Sequence, residues 1–340
     1  MKIDRVHFYV KDAIQTKDWF VKKIGFQPIY SDNKGHTQTE AIAYNSVRFL
    51  ISSPLNSASP VADYLNFHPP GIVDIAFRVE DINSIVATAK RLGIRVLQYP
   101  QIDVKRAKIA GWGSLQHTLI EKSEEQEEIY SDDAAIVDID HIVLNVAVGQ
   151  LTNAVDFYRA LFDFEIQQTF KIQTARSGLY SQALIDGSGK VQFNINEPTS
   201  STSQIQEFLD FNNGSGIQHL ALRSHDLINA VTRMRDKPNG MASLRNVAFL
   251  SVPETYYTQL EIPRNISESE WLAIKTQQIL VDGDRTAPGS LLMQVFTQPI
   301  FDRPTFFLEF IERRQNAKGF GKGNFQALFE AVEREQVKRR

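Results

Sequence analysis

GIVDIAFRVEDI at residues 71–82 and GIQHLALRSHDL at residues 216–227 carry one pattern twice, at an offset of 145 residues. Gly, Ile, Ala, Arg and Asp recur in register, and apolar residues alternate between them, as in a strand with one buried face. A second echo joins DRVHFYV (4–10) to DIDHIVL (138–144), at an offset of 134. In both copies an amphipathic stretch follows, TKDWFVKKIGFQPIY (16–30) and TNAVDFYRALFDFEI (152–166), with apolar residues at three- and four-residue steps. Such self-similarity is the mark of a duplicated architecture. Each half reads as two units of strand, helix and a run of strands, an α+β fold of tandem βαβββ modules. Strands are expected at 43–52, 191–196 and 291–297, where the sequence alternates or is richly apolar.

The halves are placed at residues 1–125 and 135–340, with the acidic run EKSEEQEE (121–128) as a solvated linker. The tail FQALFEAVEREQVKRR (325–340) has apolar residues at 325, 328, 329 and 332. That spacing makes one stripe on a terminal helix, which docks for stability or acts as a lid.

The chain has 340 residues, a length that suits two domains. Its net charge of −3 offers no basic field for nucleic acid, and no basic patch points to an anionic membrane. With no cysteine, it is denied disulfides, thiolate zinc sites, iron–sulfur clusters and a Cys nucleophile. Any metal must be held by His, Asp or Glu. The N-terminus has no apolar signal core, and no segment reaches the roughly 18 apolar residues that span a bilayer, so a soluble cytoplasmic protein is expected. Phe outnumbers Trp by 22 to 3, the composition of a dry pocket for a planar ligand.

Of the seven histidines, His36 and His68 lie among turn residues and His225 opens a polar segment, all three consistent with surface, cap or packing roles. His141 and His219 occupy equivalent strands of the two units in the C-terminal half. Glu309 sits inside the apolar strand TFFLEFIE (305–312), where a carboxylate is costly unless its charge is compensated. Two His and one carboxylate on neighbouring strands make the facial triad of non-haem Fe(II) oxygenases, with positions left open for a chelating substrate and O2. Mn²⁺ or Zn²⁺ would also accept these donors. The alternative is a buried ion pair of Glu309 with Arg303 or Arg313; the two histidines at repeat-equivalent places favour the metal. The N-terminal copy fails the same test: Asp74 stands at the place of His219, although His7 matches His141, and the third place falls to His117 or Glu121.

These residues also carry a family resemblance. DHIVLNV (140–146), SGLYSQAL (177–184), NINEP (194–198), SQIQ (203–206), GIQHLAL (216–222), QVFTQP (294–299), DRPTFFLEFIERR (302–314) and GFGKGNFQALF (319–329) occur together and in order. Over essentially its whole length the chain resembles the 4-hydroxyphenylpyruvate dioxygenase family of the vicinal oxygen chelate superfamily. The resemblance implies two open-barrel domains plus a C-terminal helix, the N-terminal one non-catalytic. It implies one Fe(II) per chain on His141, His219 and Glu309. Catalytic and substrate-contacting roles fall by resemblance on Ser181, Asn196, Gln218 and Gln294, and substrate binding on Gln204, Phe296, Phe307, Phe320, Asn324, Phe325 and Leu328. The implied substrates are an aromatic 2-oxo acid, 4-hydroxyphenylpyruvate, and O2. The implied products are homogentisate and CO2, by oxidative decarboxylation, ring hydroxylation and side-chain migration, within aromatic amino acid metabolism, serving either tyrosine catabolism or quinone and tocopherol synthesis. A homodimer or homotetramer is expected.

Strand alternation supports several of these places independently. Phe307 and Glu309 share a face, as do Gln294 and Phe296. Gln192, Asn194 and Asn196 form a polar face opposite Val191, Phe193 and Ile195, directed to a cavity or to solvent. Gln218 adjoins His219 and is expected on the opposite face, reaching the site at its edge or orienting ligands from behind. GFGKGNF lacks the spacing of a phosphate loop and reads as a hinge for the terminal helix.

Three rivals remain. 4-Hydroxymandelate synthase resembles the family in fold, triad and substrate but oxidises the benzylic carbon; Phe296 and Phe307 favour ring hydroxylation. A metal-free small-molecule binding protein of the glyoxalase and bleomycin-resistance type would have no use for all three ligands. An extradiol ring-cleaving dioxygenase would need a base histidine, and none is spare near the C-terminal ligands.

Overall fold

The computed structural model describes residues 1–100, 105–121, 135–235, 246–260, 263, 266–283 and 289–339. The first half runs β1 (Lys2–Tyr9), α1 (Ala13–Trp19), β2 (Gln27–Asn33), β3 (Thr37–Tyr44), β4 (Val47–Pro54), α2 (Pro60–Phe67), β5 (Gly71–Val79), α3 (Ile82–Arg91), β6 (Val96–Gln98), β7 (Arg106–Ala110) and β8 (Gln116–Glu121). The second half repeats the plan with β9 (Ile139–Asn145), α4 (Leu151–Phe162), β10 (Glu165–Gln173), β11 (Gly178–Ile185), β12 (Gln192–Pro198), α5 (Gln204–Asn212), β13 (Gly216–Arg223) and α6 (Leu227–Arg235). After α7 (Glu254–Thr258) and α8 (Glu268–Thr276), it closes with β14 (Leu280–Gly283), β15 (Leu291–Phe296), β16 (Phe307–Arg314) and α9 (Lys322–Arg339).

Each half is one eight-stranded sheet, in the orders β2-β3-β4-β1-β5-β8-β7-β6 and β10-β11-β12-β9-β13-β16-β15-β14. The expected βαβββ pairs are therefore present twice. In each sheet the two units meet antiparallel through their first strands, β1 with β5 and β9 with β13. Most of the acidic run at 121–128 lies outside the described residues, as does position 125; one sheet lies on each side of it.

Local chemistry sets the ends of the elements. Asp12, Asp81 and Ser203 cap α1, α3 and α5, each side chain accepting a backbone N–H of the first turn. Gly25, at φ 110°, ends the helical stretch after Trp19, so that Gln27–Asn33 starts a strand inside the segment read as helix to residue 30. The strand expected at 43–52 is a hairpin instead. Asn45 takes φ 51°, a left-handed turn that Asn tolerates, and splits the segment into the paired strands β3 and β4.

Alternating residues of the inner strands point away from the concave faces into a core shared by both halves. Phe8, Phe49 and Phe77 belong to the same buried cluster as Ile142, Phe193 and Leu220. Rings meet across the halves, Phe77 with Phe162 at 5.2 Å and Phe8 with Phe306 at 5.3 Å, both edge-on. His117 joins them as well: its Nε2 lies 3.1 Å from the Tyr158 hydroxyl and its Nδ1 3.3 Å from the Ile75 carbonyl. His68 likewise packs across, with Nδ1 2.7 Å from the Asn212 carbonyl, while His225 is exposed as expected.

Burial pushes the pKa of both His7 and His117 down to about 4. Both are neutral in the fold, whereas in the unfolded chain they take up protons near the ordinary value of about 6.5. Their contribution to stability is thus fully present above about pH 6.5 and is lost as the pH falls from there toward 4. Well inside that window each costs about 1.4 kcal/mol per pH unit. Urea unfolding at pH 7, 6 and 5 is expected to show this loss, with a shallower slope in His117→Phe. If the variant loses stability in parallel with the parent, His117 is not a source of it.

Candidate metal centre

The concave face of the second sheet carries the chemistry. His141 on β9, His219 on β13 and Glu309 on β16 are buried, and one donor atom from each lies within 4.8 Å of the others. Glu309 Oε2 is 3.2 Å from His141 Nε2 and 3.4 Å from His219 Nε2. Metal–ligand bonds of about 2.1 Å at right angles place neighbouring donors about 3 Å apart. The spacing therefore fits three facial ligands of one small cation. Two imidazoles and a carboxylate, with no thiolate, suit Fe(II) and similar divalent ions.

The surroundings favour the charged form of Glu309. Burial alone would raise its pKa, but the charge and hydrogen bonds of His141 and His219 outweigh burial and hold it at about 2. Burial likewise opposes a charge on His141, yet Glu309 and Asp140 raise it to about 9. His219 is pushed down, chiefly by burial. The proton on His141 occupies the space between donors that a cation would take, and metal uptake must displace it.

Behind the ligands stands a supporting layer. Asp140 Oδ1 lies 2.9 Å from His141 Nδ1, which leaves Nε2 directed at the cavity. Arg313 grips Asp140 with two bonds of 2.7 Å and also donates to the carbonyls of Ala317 (3.1 Å) and Gly319 (2.6 Å). Arg313 is thus not the partner of Glu309, and neither is Arg303, whose guanidinium lies 5.8 Å from the Phe211 ring. Glu309 Oε1 instead accepts from Gln294 Nε2 at 2.7 Å. Gln294 Oε1 accepts from Asn324 at 2.8 Å, and Asn324 Oδ1 accepts from the Tyr256 hydroxyl at 3.0 Å. A hydrogen-bond chain therefore ties the first turn of α9 to a metal ligand.

The triad lies in a tight cavity of about 20 Å³, room for about one water molecule, so a larger ligand enters only with movement of its walls. Asn196, Gln294 and Phe296 line it from the sheet; Phe320, Phe325 and Leu328 close it from the terminal segment. Val143 and Asn194 line it too. Asn194 was legible as a member of the polar face of β12, which turns to the cavity and not to solvent. The helix α9 is closed over the mouth. Its Phe329 is buried against Ile172, Leu179 and Phe208, and Glu333 accepts from Thr174 at 3.0 Å and from Ser177.

Other expected residues take different places. Phe307 stacks on His219 with ring centres 4.7 Å apart. It also faces a neighbouring cavity with Gln204 and Gln218, which bond to each other at 2.8 Å. Gln218 does not turn to the opposite face, because a register shift between Ile217 and His219 forms a β-bulge there. The bulge leaves Ile217 and Leu220 in the core and turns both Gln218 and His219 inward. Ser181 is fully buried beside Asn196, its partner across the strands, with its Oγ unbonded.

Register corrects the reading of the N-terminal copy. His141 stands opposite Ala221, and the equivalent pair in the first sheet is Arg5 with Ala76; His7 is the counterpart of Val143. Phe307 stands opposite His219 as Gln116 does opposite Asp74, so two residues on, Thr118 takes the place of Glu309. Arg5, Asp74 and Thr118 thus replace all three ligands. Asp74 accepts from the Thr118 amide (2.8 Å) and hydroxyl (2.5 Å), and Lys108 lies 3.3 Å away. His7 lies 2.8 Å from Ser52 Oγ. A cationic side chain and a satisfied network stand where the other half assembles donors. Among the described residues the triad of the second half is the one group with metal-ligating geometry.

Residues 138–260 and 4–110 each match a family model described as the Glyoxalase/Bleomycin resistance protein/Dioxygenase superfamily. A 4-hydroxyphenylpyruvate dioxygenase of Yarrowia lipolytica is 33% identical, over 99% of this chain and 92% of its own. That of Dictyostelium discoideum is also 33% identical, over 99% and 98%. An uncharacterized protein of Synechocystis sp. is 36% identical, over 98% and 97%. Among solved structures, a mutant 4-hydroxymandelate synthase from Streptomyces coelicolor matches 98% of this chain and 99% of its own with a TM-score of 0.83 at 27% identity. With relatives of this identity aligned end to end, and with one half of the duplicated fold keeping the metal-ligating geometry, the chain belongs to the 4-hydroxyphenylpyruvate dioxygenase family and is a dioxygenase of that type.

Proposed function

We propose that the protein converts 4-hydroxyphenylpyruvate and O2 to homogentisate and CO2, with one Fe(II) held by His141, His219 and Glu309. The observation that carries this reading is the convergence of those three donors in a phenylalanine-walled cavity beneath a closed helix. Iron bound there would supply open coordination positions for a 2-oxo acid and O2 together with the redox chemistry.

The chain's own residues do the rest. Phe296 on the sheet and Phe320 and Phe325 on the terminal segment offer faces and edges to an aromatic ring, each such contact adding about 0.5–1.5 kcal/mol beyond burial. Asn196 Oδ1 and Ser181 Oγ are buried without partners and are free to hold a polar group of the ligand. The closed α9 excludes water, and its link through Asn324 and Gln294 to Glu309 couples closure to the orientation of a ligand. Among the described residues no helix is long and apolar enough to cross a membrane. A cytoplasmic location, assembly as a homodimer or homotetramer, and a role in tyrosine catabolism or in quinone and tocopherol synthesis complete the proposal.

Apo-protein loaded anaerobically with Fe(II), then given 4-hydroxyphenylpyruvate and O2, is expected to release homogentisate, identified by chromatography. Hydroxymandelate would keep the iron chemistry and move the protein to the sister activity suggested by its structural neighbour. No turnover and no bound iron would leave a binding module on a duplicated fold.

A further inference from the structure

Asn194 sits on the concave face of β12, 5% exposed, and lines the metal cavity. Its Oδ1 is buried without a hydrogen-bond partner, and its amide nitrogen makes no bond to the described residues either. Asn196, two residues along the same face, differs, because its Nδ2 donates to Asn145 at 3.2 Å. An amide oxygen buried without a donor costs folding free energy and is retained where something else completes it.

Register locates that something. Val143 stands opposite Asn194 on one side and His219 on the other, in the strand order β12-β9-β13. Asn194 and His219 are therefore two strand spacings apart, about 10 Å, across the floor of the cavity. Val143 between them is small and lines the same cavity. Beyond Asn194 the row continues to Ala183, which packs with Phe170 and Phe320. A ligand anchored at the metal end and lying over Val143 would bring its far end to the Asn194 amide, between aromatic walls.

We propose that Asn194 is a specificity-determining residue that binds the ring hydroxyl of the substrate. The inference rests on the reading of the substrate as an arylpyruvate. A hydroxyl both donates and accepts, so it satisfies the amide whichever way its oxygen and nitrogen are turned. An unsubstituted ring leaves the amide unpaired in a closed cavity, which disfavours it.

The test compares kcat/KM for 4-hydroxyphenylpyruvate and phenylpyruvate in the iron-loaded parent, Asn194→Leu and Asn194→Ser, with iron content measured in each. Asn194→Leu is expected to lower the preference for the hydroxylated substrate by about 10- to 100-fold. The loss falls on that substrate and iron content is unchanged. Asn194→Ser keeps a hydroxyl and retains part of the preference; if the leucine variant does not fold, the serine variant decides. A preference unchanged in the folded variants, with the parent active, overturns this role for Asn194 alone. A parent that holds iron yet turns over neither compound overturns the proposed function and this inference with it.

Discussion

Glu309→Ala is expected to fold, to lose iron binding and to lose turnover by a factor of about 10³ or more. Glu309 is the one anionic donor of the triad, and its Oε2 lies within 3.4 Å of both ligating imidazole nitrogens. Alanine leaves two neutral nitrogens and no charge to balance a divalent cation in a buried site. The metal-free fold changes much less, because the variant removes a buried carboxylate together with the reason for His141 to be charged, and Asp140 still orients that ring. The two effects separate in a thermal melt run with and without Fe(II). A ligand at 1,000 times its Kd stabilises the native state by about 4 kcal/mol. The parent should show such a metal-dependent gain in Tm and the variant none. A variant that still gains with Fe(II) would show that the cation sits elsewhere.

Arg313→Met is the second large effect, and it acts first on stability. Arg313 and Asp140 are both largely buried, with side-chain exposures of 11% and 3%. Removing the guanidinium leaves Asp140 as an uncompensated buried anion, a loss of about 3–5 kcal/mol. Asp140 is otherwise held far below the usual carboxylate range, because the charge and hydrogen bonds of Arg313 and His141 outweigh its burial. In the variant it tends to take up a proton, which weakens its hold on His141, and metal affinity should fall about 10- to 100-fold. The turn to α9 loosens as well, since the Ala317 and Gly319 carbonyls lose their donor. The double variant Asp140→Asn/Arg313→Met removes the stranded charge and should recover much of the stability. Equal urea midpoints for the single and double variants would show that the charge is not the cause.

The duplicated βαβββ plan was legible because a one-sided strand writes its period of two into the residues, and GIVDIAFRVEDI and GIQHLALRSHDL keep that period through the duplication. The triad was legible for a related reason. A carboxylate among FFLEFIE is too costly without a counter-charge, and two histidines on related strands supplied the remaining donors. The aromatic walls followed from the surplus of Phe and from alternation.

Register and contact across the chain were decided only by the tertiary structure. A bulge inserts one residue and changes every face beyond it, so Gln218 joined His219 on the inner face; the pairing register, two residues away from the sequence echo, put Arg5, not His7, at the place of His141. Nothing local marks such an insertion, because the gain that holds it is pairing with a distant strand. The partner of Arg313 is equally remote: Asp140 lies 173 residues away, and only the folding of β16 beside β13 and β9 brings them together. Strand period and residue chemistry are properties of neighbours in the chain, and the sequence by itself determined the repeat, the ligand types and the apolar walls. Alignment between strands is a property of the packed whole, which decided which face and which partner each of these side chains took.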